Sequence, residues 1–154
     1  MSKKSIHDLK TIFLVEDHPI FRKGLVELIN SEEDMEVVGD ASDHVTGLQG
    51  IKKTNPTIAI VDISLKESDG IELAREINRL YEGLPVLIIS MYDESLYAER
   101  ALLAGARGYI MKQEASESVV RAVRQILSGN IYVSPAIMST ILNKFQNQPE
   151  TLHE

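Results

Sequence analysis

The feature that most constrains this chain is a repeated order: a short all-apolar run, polar residues at its end, then an amphipathic stretch. The runs are Thr11-Ile12-Phe13-Leu14-Val15, Ile58-Ala59-Ile60-Val61, Pro85-Val86-Leu87-Ile88-Ile89 and Gly108-Tyr109-Ile110-Met111, with Glu36 to Ala41 a shorter one. Strands buried on both faces read this way, apolar throughout rather than alternating. Apolar runs that alternate with helical patterns predict right-handed βαβ units, hence an α/β parallel sheet covered on both faces.

The polar residues that end the runs carry the chemistry. Glu16-Asp17 come after the first run, Asp62 after the third, Ser90 after the fourth and Lys112 after the fifth. The carboxyl ends of parallel strands open into one crevice, so these side chains are expected to meet. Crowded carboxylates repel by about 4 kcal/mol per close pair at intermediate dielectric. They therefore call for a cation, and Mg2+ suits a few carboxylates plus water. A hydroxyl at Ser90 and an ammonium at Lys112 complete a set able to handle a phosphoryl group.

The stretches between the runs carry helix signals. Ile20, Leu25, Leu28 and Ile29 recur at helical spacing over 19–30. Ser42 and Asp43 stand as caps for a helix running towards Thr54, and Asn55-Pro56 ends it. Residues 64–70 read as a polar loop, followed by a helix with Ile71, Leu73, Ala74, Ile77 and Leu80 apolar. Asp93-Glu94-Ser95 opens a fourth helix that Gly105 closes. Ser116 is expected to cap a fifth, with Val119, Val120, Val123, Ile126 and Leu127 on its apolar face and Gly129 at its end. Ser134-Pro135 starts a last helix, with Ile137, Met138, Ile141, Leu142 and Phe145 at helical spacing.

Bulk properties narrow the functional classes. A net charge of −7 without a basic stripe argues against nucleic-acid contact by this chain. The sequence has no cysteine, which excludes disulfides and thiolate metal sites. No membrane-length apolar stretch and no signal-peptide pattern occur.

The ordered set Glu16-Asp17, Asp62, Ser90 and Lys112, with Asp69-Gly70 and Gly105-Ala106, resembles the receiver domain of two-component response regulators over 11–129. The phrase from Leu127 to Pro135 is similar to the junction in the NarL/FixJ-type branch, where a helix and linker lead to a LuxR-type output domain. The resemblance implies a flavodoxin-like doubly wound five-stranded parallel sheet, order 2-1-3-4-5, plus a C-terminal extension helix. It divides the chain into a tail 1–10, a receiver 11–129, an extension helix 130–146 and the start of a linker 147–154. Because the chain stops at Glu154, before an output domain could fit, it is expected to be a fragment.

The same resemblance assigns roles. Asp62 accepts a phosphoryl group from a phosphohistidine on a sensor histidine kinase. Asp17 holds Mg2+ directly and Glu16 through water, with Asp62 and the backbone carbonyl of Ser64 as further ligands. Lys112 pairs with Asp62 and then with its phosphate, while Ser90 bonds a phosphate oxygen and shifts. Tyr109 swings inward after it, remodelling the surface of the fourth helix and fifth strand. Ser64, Met91 and Tyr92 tune access and phosphate lifetime. The implied protein is a cytoplasmic switch that catalyses only its own modification and forms a homodimer on phosphorylation. It touches DNA only through its output domain, and no membrane.

Some positions depart from the family pattern: Lys66 and Gln113 replace common prolines, and Met91 a small residue. Three competing readings stand beside this one. A haloacid-dehalogenase-type phosphohydrolase needs a second acid two residues after its nucleophile, where this chain has Ser64. A flavodoxin-like cofactor binder needs a Ser/Thr/Gly-rich loop where Glu16-Asp17-His18-Pro19 stands. A receiver-like interaction module would keep the fold without phosphorylation. The histidines at 7, 18, 44 and 153 show no metal-ligand spacing, and His18 is read as an exposed loop residue.

Overall fold

Ile58–Asp62 and Val86–Ser90 are buried along their whole length, an environment found at the centre of a sheet covered on both faces. The computed structural model describes residues 8–65 and 68–147. Its elements run β1 (Lys10–Val15), α1 (Pro19–Asn30), β2 (Met35–Ala41), α2 (His44–Thr54), β3 (Ile58–Asp62), β4 (Ser64–Leu65) and β5 (Ser68–Asp69). They continue with α3 (Gly70–Leu80), β6 (Val86–Ser90), α4 (Glu94–Leu103), β7 (Gly108–Met111), α5 (Lys112–Leu127) and α6 (Pro135–Gln146). The five long strands are all parallel in the order β2-β1-β3-β6-β7. Setting aside the two-residue β4 and β5, this is the expected 2-1-3-4-5 order of a flavodoxin-like fold.

Successive strand residues point to opposite faces, so each apolar run feeds two cores. Phe13, Val15, Ala59, Val61, Val86 and Ile88 pack with Ile51 of α2, Leu73 and Ile77 of α3 and Ala101 of α4. Ile12, Leu14, Ile58, Ile60, Leu87 and Ile89 pack with Leu25 and Ile29 of α1 and Val119 and Val123 of α5. Among the described residues no helix is long and apolar enough to cross a membrane.

Caps fall largely where expected. Asp43 accepts from the Thr46 amide (2.9 Å), Asp93 from that of Ser95 (2.8 Å) and Ser134 from that of Ile137 (3.2 Å). Ser116 does not cap α5. That helix begins a turn earlier, at Lys112, because extended Met111 leads straight from β7 into it. Asn55 ends α2 in a left-handed conformation (φ 49°), its amide bonded to the Ile51 carbonyl, rather than in the extended form favoured before proline. The polar loop 64–70 contains a small antiparallel pairing of β4 with β5; Lys66 lies outside the described residues. Helical spacing also over-counted the core: Ile20 is 89% exposed, Leu80 48% and Phe145 74%.

The segment after α5 joins the sheet edge. Tyr109 N donates to Tyr132 O and Tyr132 N to Arg107 O, both at 2.9 Å. Ser134 Oγ donates to Glu94 (2.7 Å), Lys144 pairs with Glu99 (2.7 Å) and Ile137 is buried, so α6 docks on α4. Of the expected tail and linker, residues 1–7 and 148–154 lie outside the described residues.

A charge cluster ties α5 to the α1–β2 turn. Arg124 donates to Glu32 (2.8 Å) and to Asp34, which also pairs with Lys10 (3.2 Å). The Arg124 guanidinium holds the Asp34 carboxyl well below its usual range, against the opposing effect of burial. A depressed carboxylate stabilises above its unfolded pKa of 3.8 and loses that contribution as pH falls below it. Arg124→Gln is therefore expected to lose about 1 kcal/mol at pH 7, because the pair is only half shielded from water. Urea denaturation at pH 7 and pH 3 should show the difference shrinking on acidification.

Candidate functional site

Strand register assembles the site. Val15 stands opposite Val61, so Glu16 and Asp62 come level at the carboxyl edge of the sheet. Asp62 pairs with Ile89 and Ser90 with Met111, which brings Ser90 and then Lys112 to the same edge. Among the described residues, the fully buried polar side chains are Glu16, Asp62 and Ser90, each 0% exposed. All three belong to this edge.

Buried carboxylates need partners, and Lys112 serves two. Its Nζ donates to Glu16 Oε2 and to Asp62 Oδ2, both at 3.0 Å, and lies 4.9 Å from the centre of the Phe21 ring. Burial and the neighbouring Glu16 charge push the Asp62 carboxyl up to about 6, against the pull of Lys112. For Lys112, burial acts downward, yet the hydrogen bonds to Asp62 and Glu16 hold the ammonium above its usual value. The other oxygen of Asp62, Oδ1, accepts from the Ser64 amide at 3.1 Å. Ser64 thus holds Asp62 through its amide.

One ammonium does not satisfy this edge. Glu16 Oε1 and Asp17 Oδ1 are buried without a hydrogen-bond partner, which is costly for carboxylate oxygens. Ligand atoms of Glu16, Asp17, His18 and Asp62 all lie within 4.8 Å of one another. Unpaired oxygens on two of three crowded carboxylates fit a hard divalent cation.

Ser90 leads away from the acids. Its Oγ accepts from the Tyr92 amide (2.8 Å), and Tyr109 Oη donates to the Tyr92 carbonyl (2.9 Å). Asp93, the next residue, caps α4. Tyr109 is already buried (3% exposed), so the expected inward swing does not start from an exposed ring. The Tyr132 segment, which covers β7, explains why this aromatic is not at an open edge. Burial pushes its hydroxyl pKa up. Met91 is exposed and, with His18, Ile20, Phe21 and Lys112, lines an open depression beside the site.

Four contributors are not evident from sequence. His18 is exposed as expected, yet its Nδ1 turns into the site, 3.2 Å from Glu16 Oε2, Asp17 Oδ1 and Lys112 Nζ. Its place beside the acids was the available signal. Arg22 holds the Glu16 carbonyl (2.8 Å) and Phe21 faces Lys112, contacts a helix turn away that spacing alone does not announce. Gly70 stands in the sequence only as part of a motif. A Cβ there would lie 1.9 Å from the Asp62 carbonyl oxygen, so no side chain fits.

A doubly wound sheet carrying acids, hydroxyl and amine on one edge defines the receiver class, and comparison agrees. The model of the response regulator receiver domain matches residues 12–124, and the chain belongs to that family. The oxygen regulatory protein NreC of Staphylococcus epidermidis is 33% identical over 91% of this chain and 65% of its own length. The transcriptional regulatory protein DegU of Brevibacillus brevis is 27% identical over 88% and 57%. The chain thus spans 57% to 65% of these two relatives. Among solved structures, a LuxR-family two-component response regulator from Aurantimonas superposes with a TM-score of 0.81 at 33% identity, covering 90% of this chain and 99% of that one. The signal receiver domain of NarL from Mycobacterium tuberculosis gives 0.75 at 30%, covering 80% and 99%. The chain is a NarL/LuxR-type receiver domain.

Proposed function

We propose that this receiver is switched by phosphorylation of Asp62. The observation that carries the reading is the pair of hydrogen bonds that Lys112 donates to Asp62 and Glu16, both carboxylates being fully buried. An ammonium shared in this way can stay with Glu16 while turning one donor to a new oxygen on Asp62. In the step itself a carboxylate oxygen of Asp62 bonds to phosphorus as the P–N bond of a kinase phosphohistidine breaks. The leaving imidazole keeps the electron pair and takes up a proton. Lys112 then neutralises a phosphoryl oxygen, and Ser90, whose Oγ accepts from the Tyr92 amide, donates its own proton to another.

Glu16, Asp17, Asp62 and the Ser64 carbonyl would hold Mg2+, which when bound supplies positive charge to the phosphoryl oxygens. Ser64 and Tyr92 flank the approach of the hydrolytic water and set the phosphate lifetime, with Met91 at the rim. Movement of Ser90 draws the Tyr92 backbone, to which Tyr109 is bonded, and so shifts α4, where α6 is docked. The output is dimerisation in the cytoplasm and control of transcription through a DNA-binding output domain. The receiver is 11–129, the extension 130–146 and the linker 147–154.

The test is incubation with Mg2+ and acetyl phosphate, or with beryllofluoride, followed by mass and oligomeric state. The parent protein should gain one phosphoryl group and shift towards dimer, and Asp62→Ala should do neither. Identical behaviour of the two proteins rejects the proposal and favours a phosphorylation-independent interaction module.

A further inference from the structure

We infer that His18 is a ligand at the acidic edge, making it a mixed nitrogen–oxygen site that selects imidazole-accepting divalent cations such as Zn2+ over Mg2+. The inference rests on the reading of that edge as a cation site and goes beyond it in naming a nitrogen donor and the metals it favours. Two observations carry it. Glu16 Oε1, on a side chain with no exposed surface, and Asp17 Oδ1 have no hydrogen-bond partner. His18 Nδ1 lies 3.2 Å from Asp17 Oδ1 and 3.2 Å from Glu16 Oε2, within the 4.8 Å group that includes Asp62.

The backbone fixes the imidazole there. The His18 amide donates to Glu16 Oε2 at 2.9 Å, and its extended backbone caps α1 with no side-chain cap bond. The ring is therefore not occupied in holding the helix. Lys112 Nζ lies 3.2 Å from Nδ1. An ammonium has donors only, while Glu16 Oε2 and Asp17 Oδ1, also 3.2 Å from Nδ1, only accept; the tautomer with its hydrogen on Nε2 accepts from Lys112 and leaves the Nδ1 lone pair facing the site. A metal ligand needs that lone pair in that direction.

Charge and softness decide the selectivity. Mg2+ takes oxygen and keeps water, gaining little from a nitrogen. Zn2+ and Co2+ bind imidazole and carboxylate together, and their preference grows with each nitrogen offered. The sequence contains no cysteine, so a thiolate cannot account for binding of these metals. The other described histidine, His44, is bonded to Glu76 at 2.8 Å, away from this group.

The experiment compares Zn2+ and Mg2+ affinities of the parent protein and His18→Asn by chelator competition, while imidazole nitrogen NMR follows each histidine. Asparagine suits the N-cap position but is a poor zinc ligand. The expected result is a Zn2+-dependent shift of the His18 Nδ1 resonance and a Zn2+/Mg2+ affinity ratio that drops at least about tenfold in the variant. An unchanged ratio, or a shift confined to other histidines while Mg2+ still binds the parent, overturns this inference alone. Failure of the parent protein to bind Mg2+ at all overturns the cation reading beneath it as well.

Discussion

Gly70→Ala is expected to lower the unfolding free energy by about 3 kcal/mol or more and to cut phosphoryl acceptance from acetyl phosphate about a hundredfold. A Cβ at Gly70 would stand 1.9 Å from the Asp62 carbonyl oxygen and 2.7 Å from Ile63 Cα. Both are backbone atoms, so no rotamer change relieves the overlap. Room can come only from lifting the end of β3 away from α3, breaking the Gly70 N–Ile63 O bond of 2.8 Å. That movement also carries Asp62 off Lys112. Misplacing a reacting group by about 1 Å is enough for the activity loss. Gly24→Ala gives the contrast: nothing lies within 4 Å of a Cβ there, and the residue is inside α1. It should gain roughly 0.5 to 1 kcal/mol. Urea denaturation of the three proteins reads the stability effect, and radiolabel incorporation the second. A Gly70→Ala protein as stable as its parent would remove the steric account of this position.

How much of the fold is legible in the chain depends on how local each cause is. The strands that build the sheet are continuous apolar runs, and the polar residue ending each run marks the same edge, so Asp62, Ser90 and Lys112 are legible. Sequence misplaces Lys112 only in setting it in a loop before a Ser116 cap. Its aliphatic chain starts α5, and no residue beside it has a capping side chain to announce the fact. Ile20 and Leu80 keep helical period yet face solvent, because period says which face a residue shares and not how far the sheet extends beneath it. Contacts between distant segments are hidden altogether. Tyr132 covering β7, Phe21 beneath Lys112 and the gap that Gly70 fills all depend on how two elements meet in space. The site's electrostatics are half visible. Repulsion among the acids is plain, but the sharing of one ammonium between Glu16 and Asp62 depends on where α5 begins relative to both strands.

Asp62→Asn should make the metal-free protein more stable, by about 2 to 3 kcal/mol at pH 7.5. The carboxyl is held at about 6 in the fold against 3.8 unfolded, first by burial and then by Glu16. Because the folded value is the higher one, ionising Asp62 works against folding. That penalty is absent below pH 3.8, grows as pH rises towards about 6 and is complete above it. The stability gap between variant and parent should therefore open between about pH 4 and pH 6 and stay level beyond. Asparagine keeps the shape and an acceptor for Lys112, whose charge remains paired with Glu16 at 3.0 Å, so no ammonium is left alone. Urea denaturation in chelator at several pH values measures the gap. A variant less stable than its parent at pH 7.5, or a gap already full at pH 4, would contradict the argument. Adding Mg2+ should then narrow the gap, since a cation bound to the folded parent raises its stability by mass action while the variant lacks one of the carboxylates that attract it. The function proposed for Asp62 thus has a physical signature that needs no kinase: the residue that would accept phosphate is one the fold would be more stable without.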